Sequence, residues 1–323
     1  MPTLHLPVPG QPHAIVEAAG EAGLDELDTA LVVDLYKRHG ALLFRGFGAD
    51  VAQFRGFSRR FSSTAVVNES PGRIPIDPEA HIQSVDGGTG PFALHPELSR
   101  EPWKPDVAIF CCLSAPTLGG QTTICDGIAL VREMPEAVRD ALARRRLLYV
   151  NSAGPEVLAF WLGTPQPSDA ELAAPPATCP YRFSRAPNGQ IVRWFTRRAL
   201  HRPMFSDERA FGNFLLFSRF TRGRGDRPLL EDGSRVPEEW LQAIKAAGDR
   251  LTVEIGWQAG DVAMLDNSRF MHGRTAIIDP GERMIATYFG YLNFAIPDAE
   301  EPPNALWRQR DFEPPRSPQL RPR

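Results

Sequence analysis

The stretch "GDVAMLDNSRFMHGRTAI", residues 260–277, decides the fold. Residues 261–265 read as a strand. Asp266, Asn267 and Ser268 are turn formers, and His272 follows just after. Arg283 opens the next strand-like run, 11 residues past His272. A histidine leaving a turn, with an arginine one strand later, is informative only if further metal ligands lie elsewhere.

They are found upstream, in "FALHPELSREPWKP" (92–105). His95 and Glu97 sit two apart. In a strand, residues i and i+2 face the same way, so both side chains could point together into a barrel mouth. His272 lies 175 residues beyond Glu97, so only tertiary folding can join the three. Two imidazoles and one carboxylate on one face of a metal form the triad that suits non-haem Fe(II) and leaves coordination positions open. A 2-oxo acid and then O2 can fill those positions. A guanidinium beyond the metal can pair bidentately with the far carboxylate of a dicarboxylate co-substrate, and Arg283 is the candidate. In "APTLGGQTTICDG" (115–127), two glycines give a tight turn into a short β-branched strand. A hydroxyl of Thr122 there can donate to the same carboxylate, and Thr123, facing the other way, is the alternative. Arg274, next but one after His272, has two readings, a co-substrate contact and a structural ion pair.

Around these motifs the pattern is mainly β with flanking helices. "ALLFRGF" (41–47), "DVAIFCCLSAP" (106–116), "LTVEIGW" (251–257), 260–266 and 283–292 read as strands. Residues 27–38, 133–146, 209–220 and 237–250 read as helices. Strands dominate the last part, which suits an antiparallel β architecture with helical insertions. Residues 163–180 and the Pro-rich tail from Pro297 to Arg323 read as loosely structured. Chemistry lies on both sides of 163–180, so the expectation is one catalytic domain over residues 1–323.

The formal net charge of -3 gives no electrostatic case for nucleic acid or an anionic membrane. No stretch approaches the roughly 20 apolar residues of a membrane span. The N-terminus does not read as a signal peptide. The four cysteines show no C-x-x-C spacing and read as free thiols in a reducing cytoplasm. His5, His13 and His39 read as solvated, and Arg45 as a brace of the fold.

Taken as an ordered set, "LFRGF", "HPE", "GGQT", "GDVAMLDN" and "MHGRTA…ER" resemble the TauD/TfdA family of Fe(II)/2-oxoglutarate-dependent dioxygenases, over roughly residues 40–292. Within it they look most like the SyrP-like branch associated with nonribosomal-peptide and unusual amino-acid pathways. That branch carries H-N-E, Trp-Pro, F-x-C, G-G-E-T and D-N-x-x-x-x-H-G-R. The resemblance implies a double-stranded β-helix, a jelly roll of the cupin kind. It implies His95, Glu97 and His272 as iron ligands, and Thr122 and Arg283 as 2-oxoglutarate contacts. It also implies oxidative decarboxylation of 2-oxoglutarate by O2, coupled to attack on a C–H bond. Relatives that halogenate have Gly or Ala at the position of Glu97, so its carboxylate favours hydroxylation. Desaturation and ring closure stay open.

The chain departs from the pattern at Pro96 (usually Asn), at Gln121 (usually Glu) and in "RWFTRRALHRP" (193–203). The expected substrate is an amino acid or similar small molecule, free or tethered to a carrier protein. Asn68 and Glu69 in "NESPGR" (68–73) are candidate contacts to it, against a plain turn. Arg193 and His201 are others, against a solvated basic face and a bland histidine. A zinc hydrolase and a non-catalytic binding protein are the competing classes. The oligomeric state is not legible.

Overall fold

The computed structural model describes residues 1–223, 227–310 and 312–315. Eight strands, numbered in chain order, make the core. They are β1 (Ala41–Arg45), β2 (Phe92–His95), β3 (Val107–Ser114), β4 (Thr122–Asp126), β5 (Val253–Ile255), β6 (Val262–Asp266), β7 (Phe270–Arg274) and β8 (Met284–Leu292). One sheet runs β1-β6-β3-β8 and the other β5-β4-β7-β2, antiparallel throughout. The chain crosses between sheets at the 267–269 turn, from β6 to β7. The strands β1-β6-β3-β8 are the centre of a nine-stranded sheet, extended by Ala14–Glu17, which runs parallel to β1, and by short strands beside β8. Two facing sheets linked in this way are a jelly roll, the expected double-stranded β-helix.

The apolar run of β3 shows how the sequence builds it. Ala108, Phe110 and Cys112 point into the core between the sheets. Val107, Ile109 and Cys111 point the other way, into a second core. That outer core is covered by the helices Thr29–His39 and Val51–Phe61, which contribute Val32, Leu35, Tyr36, Phe54, Phe57 and Phe61. A strand buried on both faces reads as a continuous hydrophobic run, which is why β3 shows no alternation. Truncating Phe110 to alanine here would cost about 3–5 kcal/mol. Arg45, at the end of β1, is an internal brace: its guanidinium lies 2.7 Å from the fully buried Asp261 carboxylate before β6.

Residues 127–251 form one long insertion between β4 and β5. It carries a separate small sheet made of Arg146–Ser152, Arg182–Arg185, Ile191–Arg198 and Leu229–Leu230. It also carries the helix Glu238–Leu251, and the short helix Leu215–Phe220 that packs on β2.

Several sequence expectations are corrected. Only Leu215–Phe220 of the 209–220 segment is helical. Asn213 stops it from starting earlier, because its side chain accepts from the Leu215 N–H and donates to the Ala199 carbonyl. Ala210 instead bridges to His201. Within 163–180 a short helix, Asp169–Ala173, forms on a capping box between Ser168 and Glu171. The tail from Pro297 is held through Arg308: Trp307 is buried, and Arg308 grips Asp106 and Glu301. Residues 316–323 lie outside the described residues. His13 is buried, against the expectation that it is solvated. His95 and Glu97 do not share a strand, since β2 ends at His95. Pro96 has no N–H to continue the ladder, so the chain turns there, and Leu98 takes φ +50°.

Candidate metal centre

His272 sits mid-strand in β7 and is directly paired with His95 of β2, their rings 4.6 Å apart. The close approach of β7 to its neighbours depends on Gly273. A Cβ there would lie 2.5 Å from the Phe92 carbonyl oxygen and 2.7 Å from the Thr123 hydroxyl. Glu97, just past Pro96, folds back so that its Oε2 lies 3.8 Å from His272 Nε2. The ligand atoms of His95, Glu97 and His272 all lie within 4.8 Å of one another, and all three residues are buried.

The donor set fits a metal by its chemistry. His95 Nδ1 donates to the Ala93 carbonyl at 2.8 Å, which fixes the tautomer with the Nε2 lone pair free. His272 Nδ1 is buried with no hydrogen-bond partner. Burial lowers the pKa of His95, and burial aided by the His95 and Arg73 charges lowers that of His272 well below its ordinary value. Both imidazoles are therefore neutral near pH 7, the form that ligates.

Glu97 is held from three sides, and none of these restraints was foreseen in the sequence. Asn267 accepts from the Glu97 N–H at 2.7 Å and donates to the carbonyls of Glu97 and Pro105. Asn68 donates to Oε1, and Arg73 lies 3.1 Å from Oε2. Asn267 stood in the quoted turn but read only as a turn residue. Arg73 closes "NESPGR", where nothing in a loop sequence signals burial.

Thr122, in β4, is buried and accepts from Trp257 Nε1 at 3.0 Å, so its own hydroxyl hydrogen is free to donate elsewhere. Arg283 is buried too, with its Nε on the Gly120 carbonyl at 2.6 Å. That carbonyl is presented by a glycine at φ +66°, the left-handed geometry the "GG" turn requires. Among the described residues no carboxylate pairs with Arg283. Burial and the neighbouring Arg274 charge pull its pKa down to about 10. Arg274 is clamped by the carbonyls of Asp86, Gly88 and Gly90 and stacks on Phe92 at 4.2 Å. It thereby ties the 86–90 loop to β7.

Of the four candidate substrate contacts, Asn68 reaches the triad, and Glu69 follows it half-buried in the same loop. Arg193 is not a solvated cation: it is 1% exposed, 3.8 Å from Glu101 and 4.6 Å from the Tyr181 ring. His201 lies 2.7 Å from the Ser268 carbonyl. It lines a separate cleft of 1120 Å³ with Lys104 and Arg197, to which no triad residue contributes. Phe214 and Phe217 of the insertion pack on the His95 ring, at 5.7 Å and 4.3 Å, so the insertion walls the metal centre.

Comparison with known proteins agrees with this geometry. Residues 8–288 match the family described as "Taurine catabolism dioxygenase TauD, TfdA family". The chain is 24% identical over 326 residues to the dapdiamide synthesis protein DdaC of Enterobacter agglomerans, covering 92% of this chain and 96% of that protein. Its fold is similar to PvcB of Pseudomonas aeruginosa, an Fe, alpha-ketoglutarate-dependent oxygenase from an isonitrile synthetic pathway. The TM-score is 0.56 at 15% identity, with 89% of each chain covered. It is also similar to AAD-2, solved with Mn(II) and N-oxalylglycine, with TM-score 0.57 at 13% identity over 92% of this chain and 99% of that one. The family match spans most of the chain, and the buried two-histidine, one-carboxylate cluster could hold a metal ion. The chain belongs to the TauD/TfdA family and is an Fe(II)- and 2-oxoglutarate-dependent oxygenase.

Proposed function

We propose that the protein hydroxylates an unactivated C–H bond of an amino acid or related small molecule in a biosynthetic pathway, with His95, Glu97 and His272 holding Fe(II). The observation that carries this reading is the convergence of those three buried side chains, with ligand atoms within 4.8 Å, in a fold that also buries Arg283 with no acidic partner among the described residues. DdaC and PvcB, both named for synthetic pathways, support the biosynthetic setting.

When bound, Fe(II) and 2-oxoglutarate supply O2 activation, with succinate and CO2 as co-products. The chain's own residues set the conditions for it. His95 and His272 enter as neutral donors, one with its tautomer fixed by Ala93. Asn68 occupies Oε1 of Glu97, which favours coordination through the other oxygen alone. Arg283 offers its guanidinium, and Thr122 its hydroxyl, to the distal carboxylate of 2-oxoglutarate. An unpaired buried cation is costly on its own, and a dianionic co-substrate offsets that cost. Arg274 acts on Arg283 through its charge and ties the 86–90 loop to β7. Phe110, Phe214 and Phe217 exclude water around the histidines.

Glu97 fills the position that a halide would need, so oxygen transfer is the favoured outcome. Desaturation and cyclisation use the same site. Glu69, Arg193 and His201 are secondary candidates for shaping the substrate pocket. Among the described residues no helix is long and apolar enough to cross a membrane. All four cysteines are free thiols, which suits the reducing cytoplasm we propose. The test is anaerobic addition of Fe(II) and 2-oxoglutarate. A visible charge-transfer band, followed by succinate release on aeration with substrate, is expected. If the parent protein gives no band, the ligand assignment fails.

A further inference from the structure

Among the described residues, Arg73 is the one cation paired with a candidate metal ligand. Its Nη2 lies 3.1 Å from Glu97 Oε2, the same oxygen that faces His272. Its Nη1 is anchored independently, donating to Thr287 Oγ1 at 3.0 Å and the Ser84 carbonyl at 3.4 Å. The guanidinium carbon sits 5.0 Å from the centre of the Phe289 ring. The side chain is 7% exposed, and its Nε is buried with no hydrogen-bond partner. Nε and Nη2 form one edge of the guanidinium, the edge that grips a carboxylate with two parallel hydrogen bonds. In this structure half of that edge is unused, and the other half rests on a carboxylate that a metal would claim.

We propose that Arg73 is the anchor for a free carboxylate on the substrate, so the enzyme acts on an amino acid as the free acid and not as a carrier-bound thioester. This rests on the oxygenase reading above and narrows its substrate class. In the metal-free chain, Arg73 neutralises Glu97. A divalent ion takes over that task and leaves the guanidinium short of negative charge, still pinned by Thr287 and Ser84. With 2-oxoglutarate and Glu97 set against the ion and Arg283, and Asp86 against Arg274, the charge of Arg73 would be left without a partner. A substrate carboxylate balances it. A thioester carbonyl has no charge to do so and can accept only one strong hydrogen bond from the fork.

The test uses the protein loaded with Fe(II) and 2-oxoglutarate, without oxygen. The probes are the twenty protein amino acids, each as free acid and as primary carboxamide, and the matching aminoacyl-pantetheine thioesters. Displacement of the visible band and the shift in melting temperature report binding. At least one free acid binds, with its carboxamide and thioester weaker by about 50-fold, the worth of a lost charge-assisted pair. In Arg73→Gln the acid and amide affinities converge to within about threefold, and Arg73→Lys lies between, because it keeps the charge and loses the fork. Thioesters binding as tightly as acids, no free acid binding at all, or an undiminished acid preference in Arg73→Gln each overturns the proposal. The acid-to-amide ratio of the parent decides the free-acid preference even if Arg73→Gln fails to fold, and the conservative Arg73→Lys then decides the role of Arg73. A parent protein without the band overturns the oxygenase reading and this inference with it. A normal band with no acid preference overturns this inference alone.

Discussion

The two ends of β8 treat an arginine in opposite ways. Arg283, just before the strand, has no acidic partner among the described residues, and its pKa is drawn down to about 10. Near the far end, Arg308 stacks 4.7 Å from the Tyr291 ring. It meets Asp106 through two bonds of 2.9 Å and Glu301 besides, and these partners raise its pKa. The Arg308 end is electrostatically finished. The Arg283 end, we propose, is held open for a ligand. A matched ion pair belongs to architecture, and an unmatched buried charge is what a binding site for an anion would show.

The largest effect is expected at the cluster itself. Glu97→Gly or His272→Ala removes the visible Fe(II)–2-oxoglutarate band and weakens Fe(II) binding by more than about 100-fold, the upper end of what loss of an outer-shell partner costs. Equilibrium dialysis and anaerobic spectra check this. If full activity survives Glu97→Gly, the contrast between the two ends of β8 loses its meaning.

The next pair tests the contrast directly. Arg308→Leu strands Asp106 and Glu301 and lowers stability by about 3 kcal/mol, with the KM for 2-oxoglutarate unchanged. Arg283→Leu does the reverse: the KM rises by about 100-fold while stability without ligands stays within about 1 kcal/mol. Urea denaturation and succinate assays separate the two. A large stability loss in Arg283→Leu would mean that its charge is structurally satisfied after all.

Smaller effects sharpen the picture. Asn267→Ala frees the Glu97 backbone and weakens metal binding by about 10-fold, the lower end for an outer-shell residue. Acidification acts on His13, whose pKa burial lowers from 6.5 to about 4, with the Arg45 charge adding to it. The unfolded chain binds the extra proton between those values. The stability due to neutral His13 is thus complete above pH 6.5 and is lost as pH falls toward 4, by about 1–3 kcal/mol. His13→Gln flattens that limb of a melting-temperature profile. An unchanged slope would move its cause to another group, such as His201.

The sequence made the β-rich core legible because its strands carry long apolar runs bounded by turn formers. The likeness of its motifs to a known family supplied the jelly-roll topology that periodicity alone could not. His95, Glu97 and His272 were legible as residue types at suggestive spacings. What stayed hidden needs tertiary contact to exist. Arg73 and Asn267 look like ordinary loop residues until burial gives them a carboxylate and two carbonyls to satisfy. Arg308 sits in a Pro-rich tail whose composition argues for disorder, and Asp106, about 200 residues earlier, recruits it. His13 misled for the same reason, since position near a terminus says nothing of what packs over it.

Pro96 has a consequence for how quickly the site can be loaded. His95 is set by its strand, Glu97 by Asn267, and the proline between them fixes the intervening backbone torsion. The donor atoms are thereby in register before any ion arrives, and binding freezes little that was free. We propose that metal loading is then limited by access to the site and not by ordering of the ligand segment.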